Sequence, residues 1–111
     1  GDRRLAALDR VVERHPYLAE GWRFRGAAWR ERGWARAGGA PSLAWAEADL
    51  TRAVELRPQW AEAWADLAWA RYARGDAAGA RAAFERAGTL DPTHVGIGRS
   101  RSDFAARMAR R

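Results

Sequence analysis

The sequence of 111 residues contains no cysteine, no lysine and no asparagine. Lack of cysteine excludes disulfides and thiolate metal sites. Residues that favour strands are scarce, with four Val, one Ile and three Thr, and no run alternates apolar and polar with period two. No apolar stretch approaches the roughly 20 residues a membrane-crossing helix needs, and no signal-peptide pattern is visible. The chain opens Gly-Asp rather than Met, which reads as an excised segment with any signals or anchors left to flanking sequence.

What remains is rich in alanine, arginine and tryptophan. Hydrophobic residues make up 48% of the chain, and alanine supplies most of them. Alanine is the strongest helix former but buries little surface. The seven Trp must therefore carry an unusual share of any core. This composition predicts an all-α domain.

All 20 basic residues are Arg, against 14 acids, for a formal charge of +6. From Arg99 onward five Arg face only Asp103, a net +4, whereas residues 1–98 carry 15 Arg against 13 acids, a net +2. The nearly balanced body argues against nucleic acid as the partner. The basic tail "GRSRSDFAARMARR" reads first as a solvated end, with phosphate contact as the alternative.

Two segments announce an internal repeat: "ERHPYLAEGW" (residues 13–22) and "ELRPQWAEAW" (residues 55–64). Each places Pro six residues before Trp with Ala-Glu between. A third such junction, "TLDPTHVGIG", surrounds Pro92. Pro58 and Pro92 are 34 residues apart, and Pro16 and Pro58 are 42 apart. In "AEAWADLAWARYAR" an apolar stripe runs Trp64, Leu67, Ala68 at i, i+3, i+4, broken at i+7 by Arg71. Gly75 falls where a left-handed helix end is favoured, and Asp76 where the next helix is capped.

A 34-residue helix–turn–helix period resembles the tetratricopeptide repeat. Residues 61–94 resemble one complete repeat: Trp64 as the first-helix aromatic, Leu67-Ala68 at the Leu-Gly pair, Gly75-Asp76 at the turn. Ala80, Phe84 and Ala87 fall on the second-helix packing line, and Pro92 closes the unit. Arg71 stands where the family often has Tyr. Residues 19–60 match through Trp22, Gly26, Trp29, Ala46, Leu50, Ala53 and Pro58, with Arg25 in place of Leu and eight extra residues near 33–41. Residues 2–16 read as the second helix of a truncated repeat, with Leu5, Leu8, Val11 and Val12 toward the core. Residues 95–111 read as an irregular linker and a basic capping helix over Asp103–Arg110, with Ser102 as its N-cap. The resemblance implies an α-solenoid of about two full repeats plus flanking helices.

Catalysis needs converging groups, and none is apparent in the sequence. His15 and His94 both lie near junction prolines and read as surface or capping residues. "AGGAP" lacks the Lys and Ser/Thr of a phosphate loop. No metal spacing stands out, so no enzyme activity, cofactor or metal is expected.

In the family it resembles, the first helix of each repeat lines the concave side where peptides lie. Carried over by position, that implies a groove of Arg23, Phe24, Arg30, Asp66, Trp69 and Tyr72, flanked by Glu20, Ala27, Glu31, Glu62, Ala65 and Ala73. Arg pairs with carboxylates and aromatic rings anchor apolar groups, so the fitting partner is a protein or peptide with acidic and apolar groups. Trp22 and Trp64 read as core, Trp29 and Trp45 as inter-helix, Trp60 as a staple before its helix. Trp34 is the candidate loop anchor of the insertion, unless both helices simply lengthen to about Arg36 and from Pro41. The carboxylate clamp of chaperone-tail binders, built from Lys and Asn, has no counterpart here. The reading is a non-catalytic scaffold or adaptor. The alternatives are an accessory region of a larger bacterial protein, in envelope or polysaccharide assembly, an Arg-rich nucleic-acid module, and self-association through the repeat ends. Compartment stays open, with the cytoplasm as default.

Overall fold

The computed structural model describes residues 3–35 and 39–110, with the side chains of 34, 35, 39 and 40 outside that description. Within it the chain forms helices α1 (Arg3–Arg14), α2 (Ala19–Ala35), α3 (Gly39–Leu56), α4 (Ala61–Ala73), α5 (Ala77–Leu90) and α6 (Val95–Ala109). No strand occurs among the described residues.

The turn between α4 and α5 shows how sequence sets these boundaries. Gly75 adopts φ +87°, a region that costs other residues roughly 1–2 kcal/mol. The Gly75 N–H donates to the Tyr72 carbonyl and the Asp76 N–H to the Arg71 carbonyl, both at 2.9 Å. These two bonds close α4 and satisfy its last carbonyls. The Asp76 side chain then accepts the Gly79 N–H at 2.8 Å and opens α5.

α2 packs along α3 and α4 along α5, and each pair joins the next, with α1 on α2, α3 on α4 and α5 on α6. The leading helices α2, α4 and α6 also touch in succession. Among the described residues α1, α3 and α5 make no close backbone approach to one another. The leading helices therefore form the inner side of the stack and the others its outer side. The molecule measures 39 × 32 × 20 Å, and the shortest dimension is about two helix diameters.

Two core clusters form among the described residues. Ala46, Leu50 and Val54 of α3 meet Ala63, Leu67 and Ala70 of α4. Ala65 and Ala68 of α4 meet Ala80, Ala83, Phe84 and Ala87 of α5 and Ile97 and Phe104 of α6. Trp64 packs against both clusters. Gly26 and Ala68 hold the same register position. A Cβ on Gly26 would lie 2.7 Å from Leu50 Cγ and 3.2 Å from the Ala46 carbonyl oxygen, so α2 and α3 approach too closely there for alanine.

The eight extra residues lengthen the helices. α2 has 17 residues against 13 in α4, and α3 has 18 against 14 in α5. Each gains four residues, about one turn, so the facing stripes keep their phase. α3 begins at Gly39, ahead of Pro41. The Trp34 side chain, the candidate loop anchor, lies outside the described residues, although its backbone belongs to α2.

One expectation is corrected. Residues 95–102 are helical, and α6 starts at Val95 rather than Asp103. Its N-cap is His94, not Ser102: His94 Nδ1 accepts the Ile97 N–H at 3.0 Å. Gly96 and Gly98 cost the helix about 2 kcal/mol together. Burial of Ile97, 3% exposed, offsets that by about 1.5–3 kcal/mol, and Phe104, 5% exposed, adds to it one heptad later.

Candidate peptide-binding surface

The junctions position the inner face. The Trp22 indole N–H donates to the Pro16 carbonyl at 2.9 Å, and that of Trp64 to the Pro58 carbonyl at 2.8 Å. The repeated Pro-to-Trp spacing is thus a hydrogen bond that fixes each leading helix to the chain entering it. Both rings are half-buried rather than wholly interior.

Arg25 occupies the position where an apolar Leu was expected, and its charge is met on two sides. Its Nε and Nη2 donate to Asp49 of α3 at 2.8 and 2.9 Å, and Nη1 to Asp9 of α1 at 3.1 Å. The Asp49 bonds, before all else, hold the Arg25 pKa above its ordinary value. Asp49 is 4% exposed, so this pair is interior. Arg71, at the usual Tyr position, reaches Glu47 of α3 and the Gly79 carbonyl of α5.

On the inner face Arg23 of α2 donates to Asp66 of α4 at 2.7 Å. Both side chains are about one-fifth exposed. These two predicted groove residues therefore satisfy each other and brace the wall, and Arg23 does not present a free guanidinium. Trp60 lies between Arg23 and Arg57, whose guanidinium carbons sit 4.8 and 4.5 Å from its ring. Arg57 in turn pairs with Glu20 at 3.2 Å. The residue expected as a staple is the centre of a charged lacing between α2 and the start of α4.

Phe24 stays 51% exposed beside this lacing. Arg30, two turns along α2, has no carboxylate partner among the described residues. Trp69 and Tyr72 are partly interior. The Trp69 ring meets Phe84 edge-on at 5.1 Å and Tyr72 at 5.7 Å, and Tyr72 meets Phe104 at 5.7 Å. Both rings pack on α5 and α6 because α6 covers that side of α4.

Arg107 of α6 was not singled out from the sequence. Its guanidinium lies 5.6 Å from the Trp69 ring and 5.8 Å from Tyr72, and it pairs with Asp103 at 3.3 Å. The Tyr72 side chain, and after it the Asp103 charge, raise its pKa. Only its placement on the inner side of α6, against Trp69 and Tyr72, reveals this role. Trp29 and Trp45 join α2 to α3 with ring centroids 4.7 Å apart, and Trp45 remains 51% exposed. Among the described residues no helix is long and apolar enough to cross a membrane.

Residues 61–94 match the family model of the tetratricopeptide repeat. The Hsp70-Hsp90 organizing protein of Triticum aestivum is 44% identical to this chain over 50 residues, which is 45% of this chain and 9% of that protein. The chain therefore spans a small fraction of that relative. With α4 and α5 occupying the matched unit and the other helices stacked in the same manner, the chain carries a tetratricopeptide repeat at residues 61–94 and has the helix-pair fold of an α-helical solenoid.

Proposed function

We propose that this module is a non-catalytic protein-interaction adaptor that holds a peptide of a partner protein on its inner face. The repeat family and the relative's organizing role support the adaptor reading. The observations that carry the site are that α2 leaves Phe24 half-exposed and Arg30 without a carboxylate partner among the described residues, while Trp69, Tyr72 and Arg107 gather on α4 and α6. An apolar side chain seats against Phe24 and an acidic group reaches Arg30 or Arg107. Arg23 and Asp66 keep the α2–α4 spacing rather than contact the ligand first.

The relative's name ties it to Hsp70 and Hsp90. That partnership does not carry over through a Lys and Asn clamp, because this chain has neither residue. Peptides selected from a display library supply the test. Their binding should fall about tenfold or more in Phe24→Ala plus Arg30→Ala, and stay unchanged in Tyr17→Ala, a residue 81% exposed at a junction. Equal binding by the double variant sinks the inner-face assignment.

A further inference from the structure

Arg30 of α2, Tyr72 of α4 and Arg107 of α6 stand at one level of the three leading helices. Arg30 precedes Tyr72 by 42 residues, the interval from Pro16 to Pro58. Arg107 follows Tyr72 by 35 residues, one more than the interval from Pro58 to Pro92. The leading helices touch in succession, so equal register places these side chains in one row. Contacts fix the face they share. Arg23, seven residues before Arg30 and so on the same side of α2, donates to Asp66 of α4. Tyr72 meets Phe104 of α6 and lies beside Arg107.

Both Arg keep donors to give. Arg30 has no carboxylate partner among the described residues. Arg107 donates through Nε to Asp103 at 3.3 Å, between exposed side chains, and a pair of that kind is weak. The Tyr72 hydroxyl takes a further bond. A guanidinium has five N–H groups, so others remain. The Trp69 and Tyr72 rings hold the Arg107 guanidinium in place, and less freedom is lost when it forks a carboxylate. Between the two Arg lie Tyr72 and, one turn back, Trp69, with the small Ala27 at the same register on α2.

We propose that Arg30 and Arg107 act together as two carboxylate posts, so that the inner-face ligand is an extended segment of a partner protein with two acidic side chains about five or six residues apart. This rests on the inner-face reading and specifies its ligand. Packed helices lie about 8–10 Å apart, which puts the posts about 16–20 Å apart across two intervals. An extended chain advances about 3.3 Å per residue. A helical ligand rises about 1.5 Å per residue and needs its acids about eleven to thirteen apart. An apolar side chain midway meets Trp69 and Tyr72. Residues from Arg99 onward carry a net +4, which complements an acidic segment.

The test pans the full chain against two displayed random peptide libraries, one of them lacking Asp and Glu. Enrichment is expected from the complete library alone, in peptides with two acids at about the extended spacing. In anisotropy titrations with a labelled peptide of that pool, Arg30→Ala and Arg107→Ala should each weaken binding about tenfold or more. Each should couple to one acid only. Arg107→Ala with Gln at its own acid should weaken binding no further than either change alone, whereas Gln at the other acid adds its own loss. Arg107→Glu should regain affinity for a peptide with Arg in place of that acid, which separates recognition from loss of folding. Equal enrichment from the acid-free library, no enrichment from either, acids about eleven or more apart, or no coupling overturns the proposal. Acid-free peptides that still lose binding in Phe24→Ala leave the inner-face reading standing and sink the two posts alone. Binding insensitive to Phe24→Ala and to both Arg variants removes both.

Discussion

Arg25 of α2 grips Asp49 of α3 through two hydrogen bonds, at 2.8 and 2.9 Å, in a setting where Asp49 is 4% exposed. At the corresponding positions of the next unit stand Leu67 and Ala83, both buried. One unit thus places two charged residues where the other places two apolar ones, Leu67 in the cluster with α3 and Ala83 in the cluster with α6. Removal of one charge strands the other, which costs about 3–5 kcal/mol. Arg25→Leu alone should therefore destabilise strongly in urea unfolding. Arg25→Leu with Asp49→Ala, which copies the second unit, should recover most of that loss. A double variant as unstable as the single one contradicts the equivalence.

Gly26→Ala should cost about 1–3 kcal/mol, since its Cβ would lie 2.7 Å from Leu50 Cγ in a packed core. The opposite change at the same register, Ala68→Gly, should cost about 1 kcal/mol through helix propensity alone, plus a lost methyl contact. Thermal unfolding of both variants measures the contrast.

Trp64→Phe should lose about 0.5–1.5 kcal/mol with the indole bond to Pro58. Trp64→Ala should lose about 3–5 kcal/mol. Trp69→Ala should also destabilise, because its ring packs edge-on against both Phe84 and Tyr72. At about 0.5–1.5 kcal/mol per aromatic pair beyond burial, its loss lies between those two changes in chemical denaturation. A Trp69→Ala protein as stable as wild type would mean that this ring serves a ligand alone.

The register was legible in the sequence because it is written in local chemistry. Pro precedes Trp by six residues since the indole N–H must reach that carbonyl, and Gly75-Asp76 mark a turn that only a residue tolerating positive φ closes easily. The partners of Arg25 were not legible. Asp9 and Asp49 lie 16 and 24 residues away, and no periodicity ties an acid on one helix to a base on another. The start of α6 was obscured for the opposite reason. Gly96 and Gly98 argue locally against a helix, and tertiary burial of Ile97 overrides them. For the groove, position placed Arg23 and Asp66 on the inner face. It did not reveal that they satisfy each other, which shifts the exposed chemistry to Phe24, Arg30 and Arg107.

Disruption of the lacing should separate architecture from recognition. Arg23→Ala removes the bond to Asp66 and one cation over Trp60. For side chains about one-fifth exposed, the expected loss is about 1–3 kcal/mol. Peptide affinity should fall through altered α2–α4 spacing, and Asp66→Ala should reproduce the same effect. Dissimilar effects of the two variants in calorimetric unfolding would mean that Arg23 has a role beyond Asp66.

The most direct test of the inner-face account is a two-dimensional amide NMR titration of the chain with a display-selected peptide. The account predicts perturbations that cluster at Phe24, Arg30, Asp66 and Tyr72, with the outer positions Ala48, Thr51 and Arg52 of α3 unmoved. Perturbations centred on those α3 residues would contradict it.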